Sequence, residues 1–219
     1  MASAQEVIPE RPFILAPLPV TPKDWHVSVG LTLVTPPRDI TEEILLRVPA
    51  FDLHALYGVP SNFYLDGRAI SQVVQNHFSL GVRWAHPTGK FSFSLGYDVG
   101  WWFGFLEVDG FDSEGNGWIG YPNVTLGYDL EDVYLLFKTE AIFNLAYQSF
   151  VGEEEISTNV DTFSGLSFTF ALEQPFYKNT HVTLALKATY TKFHWQTWSL
   201  FSTFDRYLFY PEITVGFIL

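Results

Sequence analysis

The stretch that decides the fold is Phe91–Leu106, FSFSLGYDVGWWFGFL, in which two kinds of residue alternate over sixteen positions. Successive side chains of a strand point to opposite faces, so a period of two predicts a β-strand. A tilted strand needs about 9–11 residues to cross a bilayer, and this one is long enough to extend beyond it. One face carries Phe91, Phe93, Leu95, Tyr97, Val99, Trp101, Phe103 and Phe105; the other carries Ser92, Ser94, Gly96, Asp98, Gly100, Trp102, Gly104 and Leu106.

The polar face decides between a membrane barrel and a soluble one. A soluble lipocalin-like barrel also alternates, but its polar face is in water, and soluble surfaces are about 25–35% charged. Here the non-apolar positions are mainly Gly, Ser, Thr and Ala, and the chain is 47% hydrophobic, 18% aromatic and only 16% charged. We therefore predict that the aromatic rows face lipid and the small and polar rows face a crowded lumen, with the soluble barrel as the alternative.

Length and composition restrict the remaining classes. The sequence has no run of about 18 apolar residues, so membrane residence requires a closed barrel, because an open sheet edge cannot be left in hydrocarbon. The absence of cysteine from the 219 residues excludes disulfides, thiolate chemistry and a cysteine metal site. The formal charge of −12 argues against nucleic acid as a partner.

The same alternation recurs along the chain and predicts an all-β fold: a closed antiparallel up-and-down transmembrane barrel of about 10 strands, with 8 or 12 as alternatives. Connections after even-numbered strands are short and most others are long and polar, which predicts periplasmic turns, external loops and two periplasmic termini. The predicted strands are Asp24–Val34, Ile44–Tyr57, Phe63–Gln72, His77–His86, Phe91–Leu106, Trp118–Leu130, Val133–Gln148, Asp161–Glu173, Thr180–Phe193 and Arg206–Leu219. Aromatic girdles are predicted from Tyr57, Trp84, Phe91 and Tyr128 at the turn end and Trp101, Tyr147 and Tyr190 at the loop end.

Residues 1–23 are predicted to be a proline-rich periplasmic extension of the barrel formed by residues 24–219. Proline fixes φ and removes a backbone donor, so this segment should be extended and outside the sheet. We interpret it as a plain leader; a periplasmic tether or a plug that folds back into the lumen are the alternatives. Ala2-Ser3-Ala4 before Gln5 looks like the end of a removed secretory signal, with a native start at Met1 as the alternative.

The last strand carries a resemblance. Tyr207–Leu219, YLFYPEITVGFIL, resembles the C-terminal signal that bacterial outer-membrane β-barrel proteins present to their insertion machinery, although Leu219 stands where Phe or Trp is usual. The resemblance covers residues 24–219 and selects no subfamily. It implies a Gram-negative outer-membrane location. The implied partners are the lipid bilayer, lipopolysaccharide and the barrel-insertion machinery.

Ionisable residues occur among the lumen-facing positions. Buried charges must be paired, and both signs are present, so we predict a structural salt-bridge network, with a narrow ion or solute path as the alternative. The set is Asp52, His54, Asp66, Arg68, Arg83, Asp98, Lys138, Glu140, Glu173, Lys187 and Glu212.

Two other patterns in the sequence are candidate sites. Asp112–Gly117, DSEGNG, resembles the first half of a calcium loop, but Asn123 stands where a bidentate Glu is needed, so a flexible acidic loop over Glu107–Gly117 is preferred. A rim hydrolase would need a Ser/His or Asp/His cluster in or beside the last loop, but no motif fixes one. The candidates for that cluster are His194, Ser199, Ser202 and Asp205, and the same loop carries Trp195, Trp198 and Phe201 as a predicted exposed patch that could be adhesive or bind a partner.

The sequence therefore predicts a non-enzymatic integral outer-membrane protein that acts as a structural anchor or docking scaffold. A protein partner would meet its external loops or its N-terminal extension. No catalytic, cofactor-binding or metal-binding residue is predicted, and no cofactor. A narrow porin-like channel is the second hypothesis and a rim hydrolase the third.

Overall fold

The computed structural model describes residues 12–37, 49–108, 111–156, 161–177, 180–199 and 205–219, and these form a closed antiparallel β-barrel. Each barrel strand pairs with its sequence neighbours, and the circle closes where β1 pairs with β11. Ten of the strands in the described chain build the barrel, and β8 only extends the hairpin after β7. The strands are β1 Trp25–Val34, β2 Ala50–Val59, β3 Phe63–Ser71, β4 Gln75–Thr88, β5 Phe91–Val108, β6 Phe111–Asp129, β7 Tyr134–Val151, β8 Glu154–Glu155, β9 Phe163–Tyr177, β10 Thr180–Thr191 and β11 Leu208–Ile218.

The predicted strands agree with the described bounds to within two residues, except near the loop end and at the turn end of β9, which continues to Tyr177. A loop was predicted over Glu107–Gly117, but β5 and β6 continue there as a regular hairpin, with Phe105 opposite Glu114 and Leu106 opposite Ser113. The prediction was wrong because glycine and acidic residues, which are typical of loops, here keep the strand alternation. Residues 38–48, which include the predicted start of the second strand, lie outside the described residues.

The outer surface of the barrel is apolar, as predicted. Leu184 and Leu186 on β10 are 40% and 58% exposed, whereas Ala185 between them is buried. Exposed leucine, phenylalanine and tryptophan side chains recur on the other barrel strands, so the apolar rows point away from the lumen. This is the surface that a lipid-embedded barrel requires.

Aromatic pairs mark the predicted girdle at the turn end: the rings of Phe91 and Tyr128 are 4.7 Å apart. At the loop end Tyr190 stacks on Tyr207 at 5.1 Å. The assignment of Tyr147 to that girdle is wrong.

No helix among the described residues is long and apolar enough to cross a membrane.

A β-bulge explains the position of Tyr147. Trp118 of β6 pairs with Ala146, but the next residue, Ile119, pairs with Asn144, so β7 carries one extra residue at this point. An extra residue reverses the alternation beyond it. Tyr147 consequently turns inward, where its ring lies 5.8 Å from that of Trp102.

Candidate functional site

The predicted inward-facing ionisable residues do face the lumen, and ten of the eleven form a belt around its middle. Arg83 Nη1 lies 2.8 Å from Asp66, and Arg83 Nη2 lies 3.0 Å from Asp98. Lys138 is 2.5 Å from Glu140 and 3.8 Å from Asp98. These contacts join β3, β4, β5 and β7 across the lumen.

The belt continues on the other side of the barrel. Lys187 Nζ lies 2.9 Å from Glu140, and Glu212 is its register partner on β11. Arg68 lies 3.8 Å from Glu212 and 2.5 Å from Asp52. His54 of β2 joins the belt through Asp66, because its Nε2 lies 2.9 Å from the Asp66 carboxylate. Opposite charges therefore alternate around the lumen, which confirms the predicted salt-bridge network.

The eleventh residue, Glu173, lies toward the turn end and serves another purpose. Its carboxylate accepts the backbone N–H groups of Ile14, Leu15 and Ala16, at 3.1, 2.8 and 3.2 Å, and the hydroxyl of Thr183 at 3.0 Å. The N-terminal segment thus enters the barrel. Its interpretation as a plain leader is wrong for residues 13–20, and the plug that the sequence left as an alternative is what the structure contains.

The plug, defined as residues 12–20, fills the turn end of the lumen with apolar side chains. It forms no strand, as the prolines predicted. Its residues are buried because they pack on lumen-facing side chains of several strands, among them Leu56, Tyr64 and Tyr134. The buried plug residues are Phe13, Ile14, Ala16, Pro17, Leu18, Pro19 and Val20.

The loop after β10 closes the other end of the lumen. The chain turns inward after Thr191 because Ser164 Oγ accepts the N–H of Phe193 at 3.0 Å and the Thr191 hydroxyl donates to the Phe193 carbonyl at 2.8 Å. Trp195 and Trp198 are buried, so their predicted exposure is wrong. We call residues 193–199 the loop plug.

Small residues on β5 and β6 make room for the loop plug. A Cβ atom on Gly104 would overlap the indole of Trp198, and one on Gly115 would lie 2.6 Å from Trp198 Cε3. Trp195 stacks on His77 of β4, with ring centroids 5.3 Å apart. The alternation placed Gly104 and His77 on the inner face, whereas Gly115 fell in the predicted loop. Neither pattern indicated that an indole would cover these residues.

A cavity of about 120 Å³ lies between the two plugs. It extends past the charged belt, from Ile14 and Leu15 at the turn end to Phe193 and Trp195 at the loop end. This volume is large enough to hold several water molecules. The lumen is therefore polar in the middle and apolar at both ends.

The candidates for the rim cluster that the structure describes do not form hydrogen bonds with one another. His194 is buried; its Nδ1 accepts the N–H of Gln196, and its ring stacks on Tyr210 at 4.5 Å. Burial, with the charge of Lys187 adding to it, lowers the pKa of His194 to about 3. Asp205 is exposed, and in the described part of the chain no hydrogen bond joins His194 to a carboxylate or to a serine hydroxyl. Ser202 and Phe201 lie outside the described residues.

The calcium-loop pattern is also corrected. Asp112–Gly117 belongs to β6, where Asp112 and Glu114 are exposed on one face while Ser113 and Gly115 are buried on the other. An extended strand cannot wrap its side chains around one ion as a calcium loop does. Within the described ranges no group of three His, Asp or Glu side chains could hold a metal ion.

Neither a protein-family model nor a curated protein sequence matches this chain. Among solved structures, similar folds occur in the CymD monoaromatic hydrocarbon channel, with 12% identity, a TM-score of 0.38 and coverage of 91% of this chain and 67% of that one. Outer membrane phospholipase A from Escherichia coli gives 12%, 0.38, 91% and 91%, and the P. putida toluene transporter TodX gives 12%, 0.36, 90% and 70%. The likeness is one of fold, and the activities in these names do not carry over.

Proposed function

We propose that this small outer-membrane β-barrel is a non-enzymatic structural anchor or docking scaffold. The observation that carries the proposal is the lumen, which the chain itself fills with the plug, the charged belt and the loop plug. Small barrels of about 8 strands are filled by side chains alone, and a wider one needs additional filling. Two internal segments supply it here, and they favour a rigid shell over an open pore.

The strands β5, β6 and β7 offer the docking surface. They have 18, 19 and 18 residues, whereas β1 and β2 have 10 each. Since about 9–11 residues cross the bilayer, the surplus forms a wall at the loop end. Exposed Glu107, Asp112 and Glu114 make this wall acidic. With both termini periplasmic, it faces the outside of the cell, where a partner with a basic surface would meet it.

The test combines conductance, hydrolysis and crosslinking. Purified intact protein in planar bilayers should give no resolved openings, and it should cleave neither phospholipid, lipid A nor peptide. A photocrosslinker at Glu114 in native membranes should give one defined protein adduct, whereas the same group at Leu186, on the lipid face, should give none. Resolved openings or hydrolysis by the intact protein would contradict the anchor.

A narrow channel is the second candidate, and one observation favours it. The cavity passes the charged belt and ends at the plugs, so displacement of the plugs would leave a continuous polar path. A channel predicts voltage-dependent openings of the intact protein, which the anchor does not.

A further inference from the structure

The plug lies in the lumen in the manner of a bound peptide. Within the described part of the chain, its hydrogen bonds with barrel side chains go to Glu173 and His26. Glu173 accepts three successive N–H groups, and His26 Nδ1 lies 2.8 Å from the carbonyl oxygen of Phe13. Successive backbone N–H groups form a concave anion site, here filled by the carboxylate of another part of the chain. The attachment is therefore concentrated at one residue of the barrel wall.

The proline content explains why this segment can be buried without a sheet. A buried N–H without a partner is destabilising, and proline has no N–H to satisfy. Pro17 and Pro19 remove two donors, and the N–H of Leu18 bonds to the carbonyl of Ala16. The donors of Ile14, Leu15 and Ala16 are the ones that Glu173 accepts.

The wall of the lumen is shaped to receive the segment. Leu56, Tyr64 and Ile218 are almost fully buried against it. At the point where the segment leaves the lumen, a Cβ atom on Gly58 would overlap the carbonyl oxygen of Thr21. Lys23 and Gly58 are joined there by a backbone hydrogen bond of 2.9 Å.

From this geometry we infer that the turn end of the lumen is a peptide-binding site, with Glu173 as its anchoring anion, which the chain's own residues 12–20 occupy. The site takes an apolar, proline-rich peptide that bends so that three successive N–H groups converge on one carboxylate. The same site accepts such a peptide from a second molecule when the internal segment is displaced.

The first experiment displaces the internal segment and supplies the peptide separately. In the double variant Ile14→Asp, Leu15→Asp the new carboxylates are repelled by Glu173. A fluorescent peptide of residues 10–23 should bind this variant saturably in detergent. Binding should fall at least about tenfold when Glu173→Gln is added, because hydrogen bonds to a charged carboxylate are stronger than those to a neutral amide. The same peptide carrying the two aspartates is the control and should bind at least about tenfold more weakly.

The second experiment keeps the chain's own plug and needs no peptide. Because the chain has no cysteine, Ala16→Cys provides a single buried thiol. Glu173→Gln should increase the rate of maleimide labelling at that thiol by at least about tenfold. Glu212→Gln, which changes a lumen carboxylate remote from the plug, should not. Labelling at the same rate with and without Glu173→Gln, or peptide binding that does not depend on Glu173, would overturn the inference. Both results are independent of whether the barrel conducts.

Discussion

Lys187 and Glu140 are joined on the inner face of the barrel wall by an ion pair of 2.9 Å. They lie on β10 and β7, which flank β9, so the pair connects strands that do not hydrogen-bond to each other. Glu140 also lies 2.5 Å from Lys138 and accepts the hydroxyl of Ser167 at 2.9 Å. One carboxylate thus neutralises two buried ammonium groups, so its loss affects both of them.

Replacement of Glu140 tests the belt. Glu140→Gln leaves two lysines short of a partner, and breaking a buried pair in this way costs about 3–5 kcal/mol. We expect the free energy of unfolding in lipid vesicles, measured by denaturant titration, to fall by about that amount. Lys90→Gln is the control, because its pair with Glu131 is largely exposed and such pairs contribute about 0–1 kcal/mol. A loss at Glu140 as small as that at Lys90 would argue against the belt.

Replacement of a glycine by a larger residue tests where the loop plug packs against the barrel wall. Gly115→Val places methyl groups where the indole of Trp198 lies, so the loop plug should be displaced. Trypsin cleavage at Lys192 and Arg206, which flank this loop, should then be at least about tenfold faster, as expected when a local opening costs about 1.4 kcal/mol less. Gly216→Ala, also on the inner face, is the control, since its Cβ would meet nothing closer than 3.8 Å. Unchanged cleavage of the Gly115 variant would show that Trp198 is not seated there.

The low pKa of His194 predicts acid sensitivity of the same loop. His194 is neutral when buried, with a pKa of about 3, whereas in a displaced loop it recovers a value near 6.5. Between these values the displaced state binds more protons, so the seated loop loses stability as the pH falls below about 6.5. A nitroxide at Ser199 should become more mobile between pH 7 and pH 4.5.

A phenylalanine is the matched control for the pH response. His194→Phe retains a ring that can stack on Tyr210 but removes the titrating group. The mobility change at Ser199 should become much smaller in this variant. An unchanged response would assign the acid sensitivity to another group.

The depth of an exposed residue should decide the cost of a charge. Leu186 lies near the middle of β10, and Tyr177 lies at the turn end of β9; both are more than half exposed. Arginine on the lipid face costs about 2–4 kcal/mol at the bilayer midplane and about 0–1 near the interface. We expect Leu186→Arg to lower the unfolding free energy in vesicles by the larger amount and Tyr177→Arg by the smaller. An equal loss of unfolding free energy in the two variants would contradict the position of Leu186 near the bilayer midplane and of Tyr177 near the interface.

The sequence predicted the barrel well because both its fold and its belt follow from a local period. Asp66, Arg83 and Asp98 share the inner face with small residues, and that is readable from alternation alone. The inward position of Tyr147 could not be predicted from the alternation, because an extra residue in one strand leaves no local signature in the pattern. Three-dimensional pairing with β6 was needed to locate it.

The two plugs were predicted least well, since neither has a period. Which segment fills a lumen depends on shape and on donors satisfied far away in sequence, as in the bond from Leu15 to Glu173. The prolines of the N-terminal segment did indicate that it could be buried, because a segment with few N–H groups has few donors that need a partner in the lumen. Trp195 and Trp198 carried none: a tryptophan in a loop pattern gives no indication of whether it faces water or the lumen.

The central claim is that the apolar rows of this closed barrel face lipid. Nitroxides placed one at a time at Leu184, Ala185 and Leu186 test it most directly in reconstituted vesicles, where oxygen concentrates in the acyl chains. Collision with oxygen should be frequent at 184 and 186 and rare at 185, following the exposure of these positions. The reverse order, or similar values at all three positions, would contradict the account.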